Sequence, residues 1–132
     1  MKIFPVLLLS LVFGATGCTQ PVLKKISVKE AQTLLAANTN HSLQIVDLRT
    51  PGEIAATGSL PGAEFIDFTA NSFDAKIKQL DKKRPVLLYC AAGSRSGRAA
   101  ELLHKQKFEL VYEMSPGMNG WLAAGNPTSK QK

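Results

Sequence analysis

Four short apolar runs recur along the chain with helical patterns between them, and this alternation limits the fold more than any other feature of the sequence. Leu43 to Leu48 is apolar and β-branched and leads into Asp47-Leu48-Arg49. Ala63 to Phe68, Pro85 to Tyr89 and Leu110 to Met114 are the other three, and Pro85-Val86-Leu87-Leu88-Tyr89 is the strongest. Each is too short for a packed helix and reads as a buried strand. Ser27-Val28-Lys29-Glu30 is a capping box, and Ala31, Leu34 and Leu35 continue helical spacing to Asn38. Pro51-Gly52-Glu53 opens a brief helix through Ala56, and Gly58 to Gly62 is a turn. Ser72 to Leu80 sets Phe73, Ile77 and Leu80 on one side of a helix, and Ser96 to Lys105 does the same with Ala99, Leu102 and Leu103. Asn119 to Ala124 is a last helix, closed by Gly125 and stopped by Pro127. Such alternation implies an α/β fold in three layers, a mostly parallel central sheet with helices on both faces. Ligands bind these sheets in a crevice off the carboxyl ends of the strands. Cys90 stands at such an end.

The 132 residues give room for one domain, and 45% apolar with 20% charged residues is the balance of a folded globular chain. The formal charge of +6 raises the question of nucleic acid. The lysines are scattered and not massed with aromatic residues, so they read as solvated faces and no nucleic-acid partner is expected. A mild positive field would draw in small anions instead. Cys18 and Cys90 are the two cysteines, which leaves no disulfide framework and no Cys-x-x-Cys pair. His41 falls in a polar loop and His104 near a helix end, neither with a Cys or carboxylate at ligand spacing. Neither a metal site nor an organic cofactor is expected.

The first residues read as an address. Lys2 supplies a positive charge, Ile3 to Phe13 is apolar apart from Pro5 and Ser10, and Ala15-Thr16-Gly17-Cys18 follows with small residues at cleavage-site spacing. The apolar run is well short of the roughly 20 residues needed to span a bilayer. Residues 1–17 are therefore expected to be a secretory signal, with Cys18 the first mature residue. The placement of Cys18 resembles a bacterial lipobox, with Ala15 where such motifs usually carry Leu. It implies a lipid on Cys18, membrane anchoring and a periplasmic location at the outer membrane, with ordinary cleavage to a soluble secreted form as the alternative. Residues 18–25 are read as a tether, 26–128 as the folded domain and 129–132 as a polar tail. A monomer is expected.

The stretch Cys90-Ala91-Ala92-Gly93-Ser94-Arg95-Ser96-Gly97-Arg98 carries the chemistry. A cysteine in a core is often just a small hydrophobe. Here it sits between a strand end and a helix start, in a loop of small residues. Small side chains let the backbone curl so that several amides point at one spot, and the helix N-terminus adds positive potential there. A thiol in that position is expected to be partly thiolate at neutral pH and nucleophilic, and the same cradle suits a small anion. Gly93 is expected to take a backbone angle that other residues resist.

The Cys-x-x-Gly-x-Arg-Ser run resembles the active-site loop of rhodanese-like sulfurtransferases, with Cys90 in the sulfur-carrying place. Two further stretches resemble that family in order: Asp47-Leu48-Arg49 with Glu53 and Gly58-Ser59-Leu60-Pro61-Gly62-Ala63, then Pro116-Gly117-Met118-Asn119-Gly120-Trp121 through Pro127. The resemblance implies a rhodanese-like fold and a two-step cycle. Cys90 takes sulfur from a donor such as thiosulfate, forming a persulfide, and passes it to cyanide or a thiol. Residues 91–96 (Ala91, Ala92, Gly93, Ser94, Arg95, Ser96) would cradle the substrate or persulfide, with loop amides stabilising the charge. Arg95 would brace the loop, paired with Glu53 as in similar domains. Asp47 and Arg49 are open to two readings, a structural ion pair or a direct role. Many relatives carry His where Ser59 stands and a charged residue where Ala91 or Ala92 stands, so donor recognition here would rest on backbone amides.

Two rival functions remain. A cysteine phosphatase or arsenate reductase uses Cys-x5-Arg, whose arginine forks onto a tetrahedral oxyanion. Counted from Cys90 that arginine should be residue 96, which is Ser96, while Arg95 comes one residue early. A non-catalytic rhodanese-type binding module is the other rival, but such modules usually lack the cysteine.

Overall fold

The computed structural model describes residue 14 and residues 17–130. The elements in chain order are β1 (Val22–Ile26), α1 (Val28–Ala37), β2 (Gln44–Asp47), α2 (Pro51–Thr57), β3 (Glu64–Phe65), α3 (Phe73–Ile77), β4 (Val86–Tyr89), α4 (Ser94–Lys105), β5 (Leu110–Met114) and α5 (Gly117–Ala123). The strands form one sheet in the order β1-β5-β4-β2-β3, with every neighbouring pair parallel. The α/β architecture expected from the alternation is the one observed.

The two-residue period of the strands divides the core. Val46 and Leu48, Val86 and Leu88, and Val111 face one side, where they pack against Phe73 and Ile77 of α3 and Ala99 and Leu103 of α4. Ile45, Leu87, Tyr89 and Met114 face the other, against Ala31 of α1 and Met118 and Trp121 of α5. All four β4 side chains are buried, as a strand covered on both faces requires. Burying one large aliphatic side chain contributes about 1.5–3 kcal/mol. The chain leaves β3 at one edge, re-enters the sheet at its middle with β4, and then continues outward to β5 on the other side. The connections thus diverge at β4, whose carboxyl end is the place where such a sheet holds its ligand. Cys90 follows directly.

The structure corrects several boundaries. Residues 18–25, read as a tether, contain most of a strand: Val22–Ile26 pairs along β5 at the sheet edge. Its alternation is masked because Lys24 and Lys25 occupy its middle, and lysines on an edge strand discourage pairing with other chains. Ser129, read as the start of a polar tail, pairs with Ser59, which donates to its carbonyl at 3.0 Å and accepts from its amide at 2.8 Å. That exchange satisfies backbone groups of the Gly58–Gly62 turn that no strand reaches. α4 begins at Ser94 and not Ser96, and α5 at Gly117 and not Asn119. β3 shrinks to two residues, although Ile66 and Phe68 still donate to the carbonyls of Asp47 and Leu48. The signal expected over residues 1–17 lies, except for Gly14 and Gly17, outside the described residues. Cys18 is exposed and unpaired. Among the described residues no helix is long and apolar enough to cross a membrane.

Candidate functional site

Because α4 starts at Ser94, only Ala91, Ala92 and Gly93 separate Cys90 from the helix. Gly93 caps α4 at φ 105°, in the left-handed region that favours glycine. A Cβ added there would sit 2.6 Å from the Ser115 hydroxyl. This tight turn aims the first-turn amides of α4, which have no partner within the helix, back at the cysteine. The Gly93 amide lies 3.2 Å and the Ser96 amide 3.4 Å from Cys90 Sγ, and the Ser96 hydroxyl is also 3.4 Å away. Cys90 itself is 1% exposed. Burial alone pushes its thiol up; the Ser96 hydroxyl, with the amides of Ser96, Gly93 and Ala92, outweighs it, and the thiol lies below its ordinary value.

The opposite face of the loop is fixed by α5. Met118 donates its amide to the Cys90 carbonyl at 2.8 Å, and Asn119 donates to the Ala91 carbonyl at 3.0 Å. Both carbonyls are thereby held by α5, leaving the amides and the Ser96 hydroxyl as the polar lining near the sulfur. This contact requires Gly117, at φ 69°: a Cβ there would collide with the Cys90 carbonyl oxygen and stand 2.8 Å from that of Ala91. The closing glycine-tryptophan stretch is thus the support of the cysteine loop.

Arg95 forks onto Glu53, with Nη1 2.8 Å from Oε2 and Nη2 2.7 Å from Oε1. Glu53 also completes the capping box of α2, accepting the Thr50 amide at 2.9 Å and the Thr50 hydroxyl at 3.0 Å. Arg95 holds the Glu53 carboxyl down at about 2, with the Thr50 contacts adding to it against partial desolvation. The guanidinium is raised chiefly by Glu53, and its charge also couples to the Cys90 sulfur.

Asp47 and Arg49 are buried, and their polar atoms are engaged within the fold. Arg49 Nη2 meets Asp47 Oδ2 at 2.8 Å and the Gly58 carbonyl at 2.7 Å, while Nη1 donates to the Thr57 hydroxyl at 2.8 Å. Tyr89 donates to Asp47 Oδ2 at 2.6 Å and accepts the Leu60 amide at 3.0 Å. Burial and the adjacent Asp47 carboxylate push the Tyr89 hydroxyl far up, so it stays a donor. This network, with the Asp47–Arg49 ion pair in it, ties β2 to the Gly58–Gly62 turn. Ser59 is buried and committed to Ser129 through its backbone.

A concavity of about 490 Å³ is lined by Gln44, Ile45 and Arg84 among others, at the amino ends of β2 and β4 and away from Cys90. Two residues beside the cysteine have no counterpart among the sequence candidates: Glu113 and Ser115. Glu113 accepts the Ser96 hydroxyl at 2.6 Å, and Ser115 lies 3.2 Å from both carboxylate oxygens. A signal for Glu113 was available, because it shares the inward face of β5 with Val111, where a charge is out of place.

A family model for the Rhodanese-like domain matches residues 27–124. A sulfurtransferase of Allochromatium vinosum is 32% identical over 83 residues, covering 63% of this chain and 75% of that protein. The polysulfide-sulfur transferase homodimer of Wolinella succinogenes superposes with a TM-score of 0.69 at 24% identity, covering 83% of this chain and 80% of that one. A rhodanese-related protein of Thermoplasma volcanium superposes with a TM-score of 0.68 at 23% identity, covering 82% and 99%. At those identities the two structures bear on the fold, while the family match and the curated relative bear on the sequence. The cradle around Cys90, the α5 support beneath it and these likenesses converge: the chain belongs to the rhodanese-like domain family.

Proposed function

We propose that the protein is a sulfurtransferase that carries sulfane sulfur as a persulfide on Cys90. The observation that carries this reading is the cysteine sulfur at the end of β4, held by the Gly93 and Ser96 amides with its thiol below the ordinary value. The sulfurtransferase relative adds weight at the level of the reaction class.

In the first half-reaction the Cys90 thiolate attacks the outer sulfur of a donor such as thiosulfate. A bond forms between the two sulfurs, and the bond from the outer sulfur to the oxidised sulfur breaks as sulfite leaves. The amides that face Sγ then face a persulfide anion, and their fixed dipoles stabilise its charge. In the second half-reaction cyanide or a thiolate attacks the outer sulfur, and the Cys90 thiolate departs with the electron pair of the S–S bond. Arg95 is held by Glu53 and positions the loop, so donor binding relies on backbone amides.

A phosphatase reading fares poorly on the same geometry. Residue 96 is a serine, and the neighbouring arginine is engaged through both terminal nitrogens. Thiosulfate-to-cyanide transfer by the purified protein should be measurable, lost in Cys90→Ser, and unaccompanied by aryl-phosphate hydrolysis. Turnover that persists in Cys90→Ser, or robust phosphatase activity, would reverse this assignment. We further propose, from Ala15-Thr16-Gly17-Cys18, that the protein is exported and lipid-anchored through Cys18.

A further inference from the structure

The proposed cycle leaves one buried carboxylate beside the sulfur without a task. Glu113 is 1% exposed, and its hydrogen-bond partners are the hydroxyls of Ser96 and Ser115. Among the described residues no ion pair reaches it. Lys25, its register partner on β1, and Glu101 of α4 line a small cavity of about 100 Å³ with it, and neither bonds to it. On β4 it faces Leu88, and beyond Ser96 stands the Cys90 sulfur, to which Arg95 also couples. A buried carboxylate without a cation is costly unless hydrogen-bonded or neutralised.

The Ser96 hydroxyl joins the two groups and has a single hydrogen. It lies 2.6 Å from Glu113 Oε1 and 3.4 Å from Cys90 Sγ. When that hydrogen points at the carboxylate, the sulfur contact needs a hydrogen from the thiol. When the sulfur is a thiolate, the hydroxyl must turn to it, and Glu113 keeps the contact only by carrying a hydrogen itself. Two anions one hydroxyl apart in a buried site repel strongly, so the arrangement favours one negative charge over two.

We propose that Glu113 holds the proton of Cys90, exchanged through the Ser96 hydroxyl. In one state the thiol donates to Ser96 Oγ and Ser96 donates to the Glu113 carboxylate. In the other, Ser96 Oγ–H donates to the thiolate and the Glu113 carboxylic acid donates to Ser96. One proton leaves sulfur, one arrives on Glu113, and the net charge is unchanged. Glu113 is a positioning residue, acting on sulfur only through Ser96.

This inference rests on Cys90 as the sulfur carrier, but it is tested without a sulfur substrate. In a Cys18→Ser background Cys90 is the sole thiol, and its alkylation by iodoacetamide is followed against pH. Two groups sharing a proton titrate in two steps. The parent should show a first rise in rate, a plateau, and a second, alkaline rise as the last proton leaves. In Glu113→Gln, which keeps the shape but cannot exchange the proton, the second step should vanish. A single step in the parent overturns the inference with no variant required. A two-step profile unchanged in Glu113→Gln assigns the second group elsewhere and overturns it too. Failure of sulfur transfer alongside a two-step profile would instead count against the proposed function.

Discussion

Arg95 is the second residue of α4, and its guanidinium is paired with Glu53 while its charge couples to the Cys90 sulfur. That pair joins the start of α4 to the start of α2, so its removal should move the loop before it moves the fold. Glu53→Gln isolates the effect, because glutamine can still serve the capping box. The Glu53 carboxyl lies at about 2 in the fold, against about 4.3 in an unfolded chain. Its depressed value means a stabilising contribution that is complete above about pH 5 and lost as the pH falls toward 2. With the carboxylate 35% exposed, screening keeps that contribution to about 1 kcal/mol or less. Urea unfolding of the parent should therefore weaken between pH 5 and 2.5 more than that of Glu53→Gln. Parallel pH profiles would show that the pair does not matter to stability. Gly117→Ala is the harsher change, since its φ of 69° and the carbonyls of Cys90 and Ala91 leave no place for a Cβ. We expect a loss of more than about 2 kcal/mol in urea unfolding and slower alkylation of Cys90. A variant of parental stability and reactivity would mean that α5 does not shape the loop.

At the scale of elements, α4 shows where local chemistry and sequence pattern part. Its apolar spacing was plain from Ala99, Leu102 and Leu103, but its start was not, because a glycine in the left-handed region caps it and no side-chain cap announces it. Its end is equally quiet: Lys107 takes φ 66° while the Phe108 amide reaches back to the Leu103 carbonyl at 3.2 Å. That is the helix stop usually given to glycine. Lys107→Gly should relieve a strain of about 1 kcal/mol and raise the urea midpoint, whereas an unchanged or lower midpoint would contradict it. The strands with long apolar runs were legible, β4 most of all. β1 was not, since two lysines on an edge strand erase the alternation, and the Ser59–Ser129 pairing rests on backbone groups that carry no side-chain signal. Of the site, the cysteine loop could be read directly. The support from α5 could not, because it runs through main-chain carbonyls.

For the whole molecule, the order β1-β5-β4-β2-β3 places the cysteine at the middle of the sheet, where α4, α5 and the first turn of α2 can all reach its loop. No single element makes the site. Cys18 is exposed and makes none of the contacts around Cys90, so export can be tested without disturbing sulfur chemistry. Cys18→Ser should move the protein from the membrane fraction to a soluble or uncleaved form while transfer by the domain persists. Parent protein in the cytosol with residues 1–17 still attached would contradict the export proposal. The central claim is the persulfide, and intact mass reads it most directly. Protein in the Cys18→Ser background is treated with thiosulfate, weighed without reductant, and mapped by proteolysis. The account predicts a gain of one sulfur atom on the peptide carrying Cys90, discharged by cyanide and absent in Cys90→Ser. No gain in mass, or a gain that survives Cys90→Ser, would contradict it.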